Sequence, residues 1–188
     1  MINLIFFGPP GSGKGTQSEL LQGAFNIIQI STGKLLRNEI ASKTPLGKEV
    51  EDTISRGELV SDKLVTEVLK KALAEKMSQG NGFIFDGFPR NENQAKILGE
   101  ILTSLNLELN LVINLKVEEQ ELINRLLIRG EIENRSDDNL ETIKTRLKIY
   151  ETESDSVINF YKNKLFELSG EGSQDEIFNR LSDTIKNL

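Results

Sequence analysis

Short apolar runs alternate along the chain with longer stretches in which apolar residues recur every three or four positions. The runs predict strands at 2–7 (Ile2-Asn3-Leu4-Ile5-Phe6-Phe7), 27–30, 82–86 and 110–115, with the weakest pattern at 165–168. The periodic stretches predict helices at 14–23, 33–42, 46–55, 62–78, 92–104, 118–128, 139–163 and 174–186. Within 62–78, for example, Leu64, Val65, Val68, Leu69 and Leu73 fall at helical spacing. Asp138 or Asn139 suits the N-cap of the seventh helix, and Ser173 that of the last. Strands that alternate with helices predict an α/β fold, a five-stranded parallel sheet covered by helices. Two regions interrupt the alternation. Some fifty residues with three helical stretches separate the second and third strands, so residues 31–60 are expected to form a helical insertion. Residues 129–138, Arg-Gly-Glu-Ile-Glu-Asn-Arg-Ser-Asp-Asp, are polar and join two helices, which makes them a candidate lid. The remaining segments, 1–30, 61–128 and 139–188, would form the core of a single domain.

Composition narrows the chemistry. The 188 residues are long enough for a substantial interior, and 37% of them are hydrophobic against 28% charged. No run approaches the roughly 18 apolar residues of a membrane span. The chain enters a strand at once, without a basic start and a small-residue cleavage site, so no secretory signal is expected. Cysteine is absent, which excludes disulfides and thiolate zinc sites and makes the cytoplasm the default location. Histidine is absent too, and hydrolase triads built on imidazole go with it. A net charge of −6 repels nucleic acid, and no membrane partner is expected either.

The most specific feature follows the first strand: Gly-Pro-Pro-Gly-Ser-Gly-Lys-Gly-Thr at 8–16. Glycines at 8, 11, 13 and 15 let the backbone fold tightly and turn several N–H groups inward. Lys14 adds a cation and the following helix adds the positive end of its dipole, a combination that binds a chain of phosphates. The pattern is a P-loop in which Gly15 stands where Ser or Thr is common, with the hydroxyl arriving at Thr16.

Further residues gather around that loop. Phe83-Ile84-Phe85-Asp86 is an apolar strand ending in a carboxylate, and the carboxyl ends of parallel strands line the ligand crevice. Asp86 can therefore hold Mg²⁺ through water, or simply bond backbone at a strand end. Arg90 follows over the same crevice, and the Gln94 amide offers the donor and acceptor that an adenine edge requires. Arg125 has Glu121 four residues earlier as a ready partner, whereas Arg129 has none within its helix. Arg129, Arg135 and Arg146 are each at home on a solvated face when taken singly. Taken with the P-loop, they converge on a transferring phosphoryl group.

With these segments in view, the chain resembles the adenylate kinases along nearly its whole length. The matching residues are 8–17, Ser-Thr-Gly at 31–33 with Arg37, Gly-Glu-Leu-Val at 57–60, Asp-Gly-Phe-Pro-Arg with Gln94, then Arg129, Arg135, Asp137-Asp138 and Arg146. The resemblance implies a doubly wound P-loop core with an AMP-binding insertion and a short lid lacking metal-binding residues. It implies the reaction Mg·ATP + AMP ⇌ 2 ADP, with Mg²⁺ and no zinc, by a monomer. Carried onto this sequence, it places the ATP phosphates on Gly11, Ser12, Gly13, Lys14, Gly15 and Thr16, with Arg129 and the backbone near Gly172 on the same side. It places AMP against Thr32, Arg37, the backbone of Glu58, Leu59 and Val60, then Gly87, Phe88, Pro89, Arg90 and Gln94. Arg135 and Arg146 would gather the phosphates between the two nucleotides. Two positions depart from the family pattern: Lys34 stands where Asp is usual and Ser61 where Pro is usual. The related pyrimidine monophosphate kinases usually carry Asn at the position of Gln94 and Ala at that of Thr32, so both residues here fit adenine. A guanine-reading switch is disfavoured because Asn163-Lys164 is followed by Leu165-Phe166.

Overall fold

In β1 (Ile2–Phe7), Leu4 and Phe6 point to one side of the strand and Ile5 and Phe7 to the other, and all four are buried. A strand covered on both faces is what a continuous apolar run encodes. The computed structural model describes residues 1–188 and places β1 at the centre of a five-stranded sheet of order β2-β3-β1-β4-β5. The other strands are β2 (Ile28–Ser31), β3 (Gly82–Asp86), β4 (Leu111–Lys116) and β5 (Leu165–Ser169), and every pairing is parallel. The helices are α1 (Lys14–Phe25), α2 (Thr32–Ala41), α3 (Pro45–Ser55), α4 (Asp62–Lys76), α5 (Glu92–Ser104), α6 (Glu119–Glu133), α7 (Leu140–Phe160) and α8 (Gln174–Lys186).

The two faces of the sheet are covered by different helices, which makes the fold doubly wound. Leu4, Phe6, Ile84, Ile113 and Leu115 pack with Leu21 of α1 and with Ile177, Leu181 and Ile185 of α8. Ile5, Phe7, Phe83, Phe85 and Val112 pack with α4, α5 and α7 through residues such as Leu69, Leu73, Leu98 and Val157. Each fully buried phenylalanine here, Phe6, Phe83 and Phe85, contributes on the order of 2–3 kcal/mol. The 31–60 segment holds α2 and α3, whose Leu36 and Val50 join this second cluster. No helix is long and apolar enough to cross a membrane.

Local signals account for most helix ends. Asn139, rather than Asp138, caps α7 by accepting from the Thr142 N–H, and Ser173 forms a reciprocal capping box with Glu176 on α8. Ser61 accepts from the Leu64 N–H and caps α4, so the residue in place of the usual proline has a structural role of its own. The helix expected to end at 128 runs on to Glu133, which leaves only part of 129–138 as a loop. Arg129 to Glu133 contains no breaker stronger than Gly130, and the helix ends where Asn134 turns left-handed at φ 51°.

Candidate active site

The loop between β1 and α1 turns on glycine. Gly11 and Gly13 have φ of 84° and 94°, a region that side chains with a Cβ enter only with strain. A Cβ on Gly11 would also lie 3.0 Å from the Leu122 carbonyl oxygen, whereas one on Gly13 would meet open space on the cleft side. Gly13 caps α1 without a side chain, so no side-chain oxygen competes for the helix's first N–H groups. Lys14 folds back over the loop, its Nζ donating to the carbonyls of Gly8 and Pro9 at 2.8 Å each and to Ser12 Oγ at 3.2 Å. Burial lowers its pKa to about 8; the Asp86 charge opposes that shift, and Arg90, Arg129 and Arg146 reinforce it.

The carboxyl end of β3 supplies the next part. Asp86 Oδ2 accepts from Gln29 Nε2 of β2 at 3.2 Å, and its Oδ1 takes no protein donor. The Gly87 carbonyl accepts from Thr32 Oγ1 and from Arg90 Nε, both at 2.9 Å, which fixes the start of α2 beside the Gly87–Arg90 turn. Gln94 is buried with its amide engaged at both ends: Oε1 accepts from the Arg90 N–H and Nε2 donates to Asp62 Oδ1, each at 2.8 Å. Partial loss of hydration inside the cleft lowers the Arg90 pKa, as does neighbouring Arg146, although the side chain stays open to solvent.

The arginines that the sequence brings together as a set are held by two aspartates. Asp138, with no exposed side-chain surface, accepts from Arg129 Nε at 2.6 Å, Arg129 Nη2 at 2.8 Å and Arg146 Nη1 at 2.5 Å, with Arg135 Nε 3.2 Å away. Asp137 accepts a fork from Arg135 at 3.0 and 2.8 Å, lies 3.2 Å from Arg146, and stands 3.8 Å from Arg37 of α2. Burial alone would raise the Asp137 pKa. The Arg135 hydrogen bonds and the charges of Arg146, Arg135 and Arg37 bring it down to about 2. Arg37 is lowered to about 10, first by burial and then by Arg135.

These parts face one cleft of about 1030 Å³, with a side cavity of about 60 Å³ that shares Arg37, Leu59, Gly87, Arg90 and Arg146. Eight lysine and arginine side chains against four carboxylates line the cleft, on a chain whose net charge is −6. Gly11, Gly13, Lys14, Gly15, Thr16, Asp86, Pro89, Arg129, Arg135 and Gly172 line the main space. Thr32, Glu58, Val60 and Gln94 line the side cavity. At two of the expected positions only the backbone is free to meet a ligand. Ser12 and Phe88 are each 1% exposed: Ser12 Oγ serves Lys14 and the Phe88 ring belongs to the core, so neither side chain faces the cleft. The sequence alone assigns no role to Asp62, and it marks Asp137 and Asp138 only as a family-matching pair, with Asp138 also a candidate helix cap; that the pair holds the arginines is visible only in the structure. Sequence reasoning also explained Arg125 by Glu121 alone; that pair forms at 2.8 Å, yet Arg125 lines the cleft and donates to the Gly170 carbonyl. Lys34 is exposed and pairs with Glu19 of α1 at 3.5 Å.

A glycine loop feeding a helix beside the central strand of a 2-3-1-4-5 parallel sheet, below a cluster of arginines, defines a P-loop phosphotransferase. A family profile described as adenylate kinase matches residues 6–166. The adenylate kinase of Azobacteroides pseudotrichonymphae genomovar. CFP2 is 46% identical over 190 residues, covering 100% of this chain and 99% of that protein. That of Parabacteroides distasonis is 45% identical over 190 residues with 100% of both covered, and that of Leptospira biflexa 46% over 187 residues, covering 98% of this chain and 100% of that protein. The chain belongs to the adenylate kinase family.

Proposed function

We infer that this enzyme transfers the terminal phosphoryl group of Mg·ATP reversibly to AMP, giving two ADP, and so serves adenine nucleotide balance. The observation that carries the reading is the convergence of Lys14, Arg37, Arg90, Arg129, Arg135 and Arg146 on one cleft beside the glycine loop. An AMP phosphate oxygen is already anionic and needs no strong base, so the absence of histidine and cysteine is no obstacle. We assign the ATP phosphates to Gly11–Thr16 with Arg129, and AMP to the space between Thr32, Arg37, Leu59, Val60, Gly87 and Gln94. Arg90, Arg135 and Arg146 then stabilise charge spread over the transferring group's oxygens. Asp86, whose Oδ1 is without a protein donor, and the Thr16 hydroxyl give hard oxygen ligands suited to Mg²⁺. When bound, that ion neutralises phosphate charge and orients the β- and γ-phosphates. No group of three or more carboxylate, histidine or cysteine side chains stands ready to hold a metal without the nucleotide.

Residues 31–60 and 129–138 are the parts we expect to close over substrates, excluding water and with it ATP hydrolysis. We propose a monomer, since one chain supplies the whole lining of the cleft, and a cytoplasmic location, in keeping with a sequence that carries no cysteine. A coupled assay that offers ATP with AMP, GMP, CMP and UMP in turn, plus a control without acceptor, tests the function. AMP should turn over fastest and the control should be silent; equal rates with UMP or CMP, or hydrolysis without acceptor, would overturn it. Lys14→Ala and Arg90→Ala should each lower turnover at least about a hundredfold, the scale for losing a preorganised electrostatic contact. A folded Arg90→Ala enzyme with normal turnover would remove that residue from the chemistry.

A further inference from the structure

The hydrogen bonds of Gln94 fix its orientation as well as its position. A primary amide carries two N–H donors and two acceptor lone pairs. In Gln94 one donor goes to Asp62 Oδ1 and one acceptor is taken by the Arg90 N–H, each at 2.8 Å, which leaves one of each for a ligand. A half-turn of the amide would set its oxygen against the Asp62 carboxylate and its NH₂ against the Arg90 N–H. Two attractive contacts would become two repulsive ones. Asp62 is itself held in place: Asn91 Nδ2 donates to the same Oδ1 at 3.1 Å and Asn93 Nδ2 to Oδ2 at 2.6 Å. Burial works against its charge, but these three amides outweigh it and keep the pKa below its ordinary value. An ionised carboxylate only accepts, so Asp62 tolerates one orientation of Gln94.

The consequence falls on the base. A 6-aminopurine presents a donor (the amino group) beside an acceptor (N1), whereas a 6-oxopurine presents an acceptor (O6) beside a donor (N1–H). A glutamine free to flip satisfies either; a pinned one satisfies a single pattern. We propose that Asp62 is the positioning residue that makes this site select 6-aminopurine over 6-oxopurine monophosphates, by forbidding the flip of Gln94. The proposal rests on the reading above, in which Gln94 faces the AMP base. Asp62 touches no nucleotide in this scheme. It is the first residue of α4, where the chain leaves the 31–60 segment, and it stands behind a cavity lined by Leu59, Val60, Val65 and Gln94.

The test compares kcat/KM for AMP and for IMP, whose base lacks the extra 2-amino group of guanine, in the wild type, Asp62→Asn, Asp62→Ala, Asp62→Glu and Gln94→Ala. The AMP-to-IMP ratio cancels differences in the folded fraction, so a destabilised variant still reports. Asp62→Asn and Asp62→Ala should lower the ratio by about tenfold or more, the scale of a hydrogen bond to a charged group. The loss should come partly through improved use of IMP, which a merely structural defect would not give. Asp62→Glu, which keeps the carboxylate, should restore most of the preference. If Gln94→Ala collapses the ratio while both neutral Asp62 variants keep it, the role of Asp62 is overturned. If Gln94→Ala also keeps it, the assignment of Gln94 to the base falls first.

Discussion

Replacing Asp138 by asparagine perturbs the arginine cluster at its centre. The wild-type carboxylate, fully buried, receives three hydrogen bonds from Arg129 and Arg146 at 2.5–2.8 Å and lies 3.2 Å from Arg135. Asparagine keeps the shape, but one oxygen becomes an NH₂ that must face a guanidinium, donor against donor. Removing one partner of a buried ion pair costs about 3–5 kcal/mol. Arg135 and Arg146 are only 10% and 13% exposed and have little access to water, while Arg129, at 29%, can partly resolvate. The lower end of that range, about 3 kcal/mol, is therefore expected. For a chain of this length each kcal/mol moves Tm by about 2–4 °C, so Tm should fall by about 6–12 °C. Thermal and urea unfolding at neutral pH measure the loss, and it should persist at high salt because buried charges are weakly screened. Tripolyphosphate should recover more stability in the variant than in the wild type, since an anion can replace the missing carboxylate. A double-mutant cycle with Arg129→Leu isolates the pair. A Tm loss below about 2 °C, or Asp138→Asn and Arg129→Leu adding to within about 0.5 kcal/mol, would refute the claim that Asp138 holds these arginines.

Other expectations follow from the same site. If charged Lys14 is needed to bind ATP phosphates, kcat/KM for ATP should fall as pH rises through about 8, while the limb in kcat moves higher once phosphates surround the amine; a profile flat to pH 10 would contradict this. Asp137, depressed from 3.8 to about 2, contributes stability that is complete above its ordinary value and lost as pH falls toward 2. Asp137→Asn should therefore flatten the pH dependence of urea unfolding below about pH 4, and an unchanged acid limb would count against the Arg135 pairing. Gly11→Ala should cost about 2–3 kcal/mol, from backbone strain plus the clash with the Leu122 carbonyl. Gly13→Ala should cost about 1–2 kcal/mol but raise the KM for ATP, because its new methyl enters the phosphate space; equal melting losses in the two would argue against the loop geometry.

Legibility in the sequence tracked burial. The central strands announce themselves because both faces of β1 and β3 are covered, which leaves no polar alternation to confuse with helix. The edge strand β5 is short and exposes Phe166 and Glu167, and its pattern is correspondingly faint. The end of α6 was hidden for the same reason. Ile128 and Ile132 are 58% and 74% exposed, so the final turns bury no apolar stripe that would mark them as helix. The glycine loop and the arginines were visible as residue types at fixed spacing. Their partners were not, since Asp62 meets Gln94 across 32 residues and Asp138 reaches back to Arg129 and forward to Arg146 through a turn. Ser12 and Phe88 show the converse limit: membership of a motif says nothing about which way a side chain points.

The aspartates also explain how an acidic protein can keep so many cations in one place before any phosphate arrives. Guanidinium groups packed together without counter-charge would repel and turn outward, and the cleft would lose its shape. Asp137 and Asp138 neutralise part of that charge at the back of the cluster, while the remaining excess of positive charge lines the open side. Asp137 does so with cations from three places: Arg37 on α2, Arg135 in the turn after α6, and Arg146 on α7. The same junction is tightened where Thr142 Oγ1 donates to the Ser55 carbonyl at 3.2 Å, and where Gly57 lies so near Arg146 that a Cβ would stand 2.8 Å from its Cγ. A phosphate entering among these arginines therefore acts on a contact that already ties the 31–60 segment to the 129–138 segment. On the proposed assignment, occupancy of one nucleotide site biases the elements that close over the other, because both draw on the same guanidinium groups.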